Sequence, residues 1–211
     1  MDPREHWERV YSDKTLEQCS WYQRVPERSL DLITRSRVSR TDSILDVGGG
    51  DSLLADHLAA RQYRNVTVVD VSLKSLARAK QRLGDMGLAV RYVQADVRAL
   101  PLRTGSIAIW HDRAVFHFLS HPPDREVYIQ QVRRVVRPGG HVIVATFADD
   151  GPTHCSGLPV VRYASEALRE TFGTGFRLVE SDAEVHRTPA GAEQRFTYCW
   201  CRYEPGAASA A

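Results

Sequence analysis

Two rhythms of apolar residues alternate along the chain after about residue 40. Short runs rich in Val and Ile predict strands at Ser43–Val47, Val66–Asp70, Val90–Gln94, Ile107–Trp110, His141–Phe147, Arg177–Glu180 and Arg195–Cys201. Between them, apolar residues recur every three or four positions and predict helices at Leu53–Arg61, Leu73–Leu83, Arg125–Val136 and Ser165–Phe172. Alternation of this kind predicts an α/β fold. It is a seven-stranded, mostly parallel, Rossmann-like sheet with helices on both faces. Arg137-Pro138-Gly139-Gly140 stops the third helix and turns the chain into the next strand. No crossover helix is evident in residues 181–194, so the last strand is expected to be antiparallel.

Residues 1–40 lack strand signals but carry Trp7, Tyr11, Trp21 and Tyr22, which predicts a helical N-terminal cover. The main domain is expected over residues 41–203. Residues 204–211 form a small-residue tail with nothing to bury, expected to be flexible.

Composition narrows the class. The 211 residues suit one domain, and 43% hydrophobic with 26% charged residues suits a globular chain. A net charge of +2 is too even for a protein that grips nucleic acid mainly through phosphate charge. No apolar run is long enough to span a bilayer, and the charged start does not read as a secretory leader, so a cytoplasmic location is expected. Cys19, Cys155, Cys199 and Cys201 form no Cys-x-x-Cys pair and are expected as reduced thiols, with Cys199 and Cys201 facing apart.

The first strand runs into Gly48-Gly49-Gly50-Asp51-Ser52, and a helix opens at about Leu53. Such a turn exposes backbone amides to a ligand. Leu53 stands where the dinucleotide fingerprint has its third glycine, which argues against a pyrophosphate. Asp46, Asp70 and Asp96 lie at or just past the ends of successive strands, facing the crevice where such sheets bind ligands. Asp70, followed by Val71, is placed to accept the ribose hydroxyls of a nucleoside, and Asp96 with the Val97 amide to read an adenine edge. Asp46 suits the cationic end of a methionine moiety.

The stretches Asp46-Val47-Gly48-Gly49-Gly50, Val68-Val69-Asp70, Ala95-Asp96-Val97 and Arg137-Pro138-Gly139-Gly140 resemble the class I S-adenosylmethionine (SAM)-dependent methyltransferases over roughly residues 40–201. The family's third glycine is replaced by Ser52. The resemblance implies SAM as cofactor and S-adenosylhomocysteine as product. The implied cofactor contacts are Asp46, Gly48, Gly49, Gly50, Ser52, Asp70, Val71, Asp96, Val97, His111 and Trp21. A nicotinamide-dependent dehydrogenase and a SAM-binding regulatory module are the competing readings.

In the resembled family, acceptor-facing residues follow the fourth strand. His111 and Asp112 are the candidate base and its orienter, with His117 beside them as a further catalytic candidate. Arg113, Trp7, Tyr22, His154, Cys155, Arg162 and Tyr163 are candidate acceptor contacts. No metal is expected, exposed turn acids being a plainer reading of Asp149 and Asp150 than magnesium ligands. His6-Trp7-Glu8-Arg9, Trp21-Tyr22 and Gly50-Asp51-Ser52 also look like the small protein lysine methyltransferases that modify elongation factors. Those carry Asp-Lys-Gly where this chain has Asp112-Arg113-Ala114. A small-molecule acceptor is favoured, a protein acceptor is the alternative, and nucleic acid is disfavoured. The oligomeric state stays open.

Overall fold

The computed structural model describes residues 2–84 and 90–206. In chain order its elements are α1 (Pro3–Asp13), α2 (Glu27–Arg35), β1 (Ile44–Val47), α3 (Leu54–Ala60), β2 (Val66–Asp70), α4 (Leu73–Leu83), β3 (Val90–Gln94) and β4 (Ile107–Arg113). There follow α5 (Pro122–Val135), β5 (Val136–Phe147), the two-residue strands β6 (His154–Cys155) and β7 (Leu158–Pro159), α6 (Ser165–Phe172), β8 (Phe176–Arg187) and β9 (Glu193–Tyr203). Among the described residues the main sheet runs β3-β2-β1-β4-β5-β9-β8. Strands β1 to β5 pair in parallel, and β9 is antiparallel to both β5 and β8.

The two-residue period of β1 sorts the core. Ile44 joins Leu32, Ile33, Leu58 and Ile109 under α2 and α3, whereas Leu45 and Val47 join Trp110, Val132, Leu168 and Phe172 under α5 and α6. Local signals set the helix ends. Ser72 caps α4 by accepting the Ser75 amide at 3.2 Å, and Leu76, Ala79 and Leu83 bury one stripe. In α1, Asp2 accepts the Arg4 amide at 2.9 Å and Pro3 opens the first turn.

β4, β5 and β8 each run three or more residues past a predicted end, while β1 and β9 differ by one or two. β4 continues through His111, Asp112 and Arg113, because its neighbours β1 and β5 supply ladder partners for these polar residues. β5 pairs once at Val136 with Ile107. The ladder then resumes at His141 opposite Ile109, and Arg137-Pro138-Gly139-Gly140 bulges between those two points. β8 spans twelve residues and joins β9 through a short turn in which the Thr188 amide donates to the Ala192 carbonyl. Cys199 and Cys201 lie side by side with sulfurs 3.5 Å apart. The expectation that they face apart is corrected by the strand period, which sends residues i and i+2 to one face. Glu204 is held by Arg177 at 3.0 Å, and the rest of the expected tail, residues 207–211, lies outside the described residues.

The N-terminal helices are fastened over the carboxyl ends of the strands. Glu8 of α1 accepts the Leu73 amide at 2.7 Å and the Ser72 hydroxyl at 3.2 Å, so α1 satisfies amides that the start of α4 leaves open. Glu8→Ala should therefore loosen both helix ends. A cap of this kind contributes about 1–2 kcal/mol, so amide exchange in α1 and the first turn of α4 should speed up roughly five- to thirty-fold. Exchange mass spectrometry tests this, and unchanged protection would mean that α1 is held by its aromatic face and by its other ties to α4, such as Arg78 on the Lys14 carbonyl at 2.9 Å.

Candidate active site

A cavity of about 540 Å³ opens where β1, β2 and β4 end and where the chain leaves β3. A smaller one of about 50 Å³ adjoins it and shares Trp21, Val47, Gly48 and Arg113 with it. The glycine turn forms the floor. Gly48 has φ +61°, and a Cβ there would sit 2.0 Å from Val115 Cγ2. Gly50 has φ +50°, and its Cβ would meet the Tyr11 hydroxyl at 2.4 Å. Both positions demand glycine for conformation and for space.

Three buried carboxylates surround this floor. Asp70 Oδ1 accepts the Ser72 amide at 2.8 Å. Burial, with the charges of Asp51, Asp46 and Glu8 adding to it, pushes the Asp70 carboxyl up to about 7. Asp51 is 1% exposed with Arg78 3.6 Å away, and burial raises its carboxyl too. Asp46 Oδ1 lies 2.8 Å from His111 Nδ1, and His111 Nε2 lies 2.8 Å from Ser29 Oγ of α2. Nδ1–H donates to the carboxylate, and in the neutral ring Nε2 accepts from the Ser29 hydroxyl. Asp46 Oδ2 is buried and has no partner among the described residues.

This arrangement fits SAM. A buried, unpartnered carboxylate oxygen, a glycine cradle and a surplus of negative charge all favour a cationic nucleoside ligand over a polyphosphate. Asp96 also lines the large cavity, but Arg98 holds both of its oxygens and bridges to Asp124 at 2.7 Å. Burial opposes ionisation of Asp96, yet the Arg98 hydrogen bonds hold its carboxyl below the usual range. An adenine edge at Asp96 would share that carboxylate with Arg98.

Of the predicted cofactor contacts, Gly48, Asp70, Val71, Asp96, Val97 and Trp21 line the large cavity. Asp46, Gly49, Ser52 and His111 line the small one. Gly50 adjoins both Tyr11 and Asp70. The expected pairing of His111 with Asp112 is corrected: neighbours on a strand face opposite ways. His111 joins Asp46, its register partner on β1. Asp112 instead accepts the Tyr128 hydroxyl at 2.6 Å and the amides of Val115 and Phe116 at 2.8 and 3.1 Å, and Tyr128 in turn accepts from Trp110. His117 is fully buried; its Nδ1 accepts the Phe147 amide at 3.3 Å, and burial together with Arg113 lowers its pKa to about 3. It is placed to hold β5 rather than to face the cavity.

The predicted acceptor contacts divide as well. Trp7, Arg113 and Cys155 line the large cavity and Tyr22 the small one. Tyr163 instead packs in the core against Phe116, Arg162 donates to the Gly151 carbonyl, and His154 sits beside Thr153 on the exposed side of β6. Several wall residues were missed, among them Tyr11, Val115, Phe118, Leu158 and Pro159. Tyr11 follows Trp7 by four residues on one helix face, a spacing that could have found it. Among the described residues no group of three or more His, Cys, Asp or Glu side chains is placed to hold a metal ion.

Residues 45–144 match a family model described as a methyltransferase domain. A ubiquinone biosynthesis O-methyltransferase of Cupriavidus pinatubonensis is 36% identical over 104 residues, 49% of this chain and 40% of the relative. A ubiquinone/menaquinone biosynthesis C-methyltransferase of Coxiella burnetii is 29% identical over 160 residues, 74% of this chain and 60% of the relative. The matches thus span about half the length of these curated relatives. Among solved structures, the 1,6-didemethyltoxoflavin-N1-methyltransferase of Burkholderia thailandensis with bound S-adenosylhomocysteine has a TM-score of 0.69 at 22% identity, covering 95% of this chain and 84% of that one. Residues 45–144 thus match a methyltransferase domain, and SAM is the cofactor that the glycine turn and the buried carboxylates fit.

Proposed function

We propose that the whole protein transfers a methyl group from SAM to a small-molecule acceptor. The observation that carries this reading is the continuity of the carboxylate-lined floor with a second region walled by Trp7, Phe118 and Cys155 under the N-terminal helices. The relatives named for ubiquinone and toxoflavin chemistry support a small acceptor. When bound, SAM supplies a methyl group on a positively charged sulfur, and its transfer is an in-line displacement. The protein's task is alignment at about 3–3.5 Å and exclusion of water. Asp70 is placed to grip the ribose, the His111–Asp46 contact to orient a carboxylate toward the positive end, and α1 to close the site.

A cytoplasmic setting belongs to the same reading, supported by four cysteines that are all free thiols. No helix among the described residues is long and apolar enough to cross a membrane.

Incubating the protein with methyl-labelled SAM and separated fractions of a cell extract tests the proposal. Label is expected in the small-molecule fraction together with S-adenosylhomocysteine. Label on protein would replace the acceptor class, and cofactor binding without turnover would favour the regulatory module.

A further inference from the structure

The acceptor end of the large cavity has aromatic walls and balanced charge. Trp7 of α1 stands 5.2 Å from Phe118 and 5.8 Å from Trp21, each pair edge to face, and all three rings line the cavity. Leu158 and Pro159 of the β6–β7 hairpin supply further apolar wall. Arg113 lines the cavity, and it is already engaged. Its Nη2 lies 3.2 Å from Glu184 and its Nε donates to the Tyr198 hydroxyl at 3.1 Å, with the guanidinium 4.1 Å over Phe196. Arg98, on the adenine side, is likewise committed to Asp96 and Asp124.

Two titratable groups of this wall, His6 and Cys155, favour their uncharged forms. Burial, with Arg9 adding to it, lowers the His6 pKa, and burial raises that of the Cys155 thiol. An anionic acceptor would meet no unengaged guanidinium, and it would face the field of Asp46, Asp51 and Asp70. A protonated amine lacks the lone pair that must attack the methyl group. Removing an anion's charge from water would cost more than these walls return.

We infer that the acceptor is an uncharged, planar aromatic molecule, laid against Trp7 and Phe118 with Leu158 and Pro159 beside it. This rests on the methyltransferase reading and names the substrate class of the same site.

Calorimetric titration tests it with two probes of one shape, 2-naphthol and 2-naphthoate, each added to protein saturated with S-adenosylhomocysteine. Naphthol should bind, and naphthoate at least tenfold more weakly. Leu158→Asp, at a half-exposed position, should weaken naphthol at least tenfold, while Leu158→Met restores it. Equal or tighter binding of naphthoate overturns the inference, as does absence of naphthol binding while S-adenosylhomocysteine binds. Failure of S-adenosylhomocysteine itself would instead overturn the cofactor reading.

Discussion

Replacing Asp70 with alanine is expected to weaken S-adenosylhomocysteine binding by two to four orders of magnitude while leaving the protein folded. Two hydroxyl donors to a charged acceptor contribute about 1.5–3 kcal/mol each, or roughly 3–6 kcal/mol together. The fold survives because the ionised Asp70 opposes folding. Its carboxyl sits near 7 through burial and the neighbouring charges of Asp51, Asp46 and Glu8, above the roughly 3.9 of an unfolded chain. Between about pH 4 and 7 the folded state therefore holds the extra proton, and this group's contribution to stability falls as pH rises through that window.

Ligand affinity should run the other way, because the ribose hydroxyls favour the ionised carboxylate. Affinity should rise from about pH 6 to 8 and level off above, and Asp70→Asn should flatten the profile while retaining part of the binding. Calorimetric titration across that range reads both effects. A flat wild-type profile would separate Asp70 from the ligand.

Asp112→Ala is expected to be the most destabilising change near the site, lowering the melting temperature by roughly 10 °C or more. It strands the Tyr128 hydroxyl and the Val115 and Phe116 amides in a fully buried setting, at a cost of about 3–5 kcal/mol. Burial raises the Asp112 carboxyl to about 6, so Asp112→Asn, which keeps an acceptor for the amides, should recover much of the loss. Thermal unfolding beside S-adenosylhomocysteine titration checks the assignment. An unchanged melting temperature with lost turnover would return Asp112 to the chemistry.

What the sequence displayed was local. β2, β3, α4 and α6 coincide with their predicted bounds, because each has a pure apolar run or a clean helical stripe. The Asp46, Asp70 and Asp96 spacing pointed to a nucleoside for the same reason: each follows a recognisable strand. β4 was cut short at Trp110 because His111-Asp112-Arg113 has no strand propensity of its own and is recruited by its neighbours. β8 was cut short because an edge strand with alternating charges looks like loop. The opposite facings of His111 and Asp112 depend on knowing that both belong to β4. Glu8 on α4 and Ser29 on His111 are contacts across 65 and 82 residues, and no window along the chain contains them.

Two of the fastenings of the N-terminal segment are unequal. The Ser29 end is dry, with Ser29, His111 and Asp46 all buried, whereas the Glu8 end lies at the water-exposed start of α4. Water competes for the second and not for the first. Opening of the cover therefore begins at α1 and stops short of the chain before α2, whose Ser20 and Arg24 carbonyls are held by His186 and His57 at 2.7 and 2.9 Å, so the ribose side is unsealed while the contact with Asp46 is still in place.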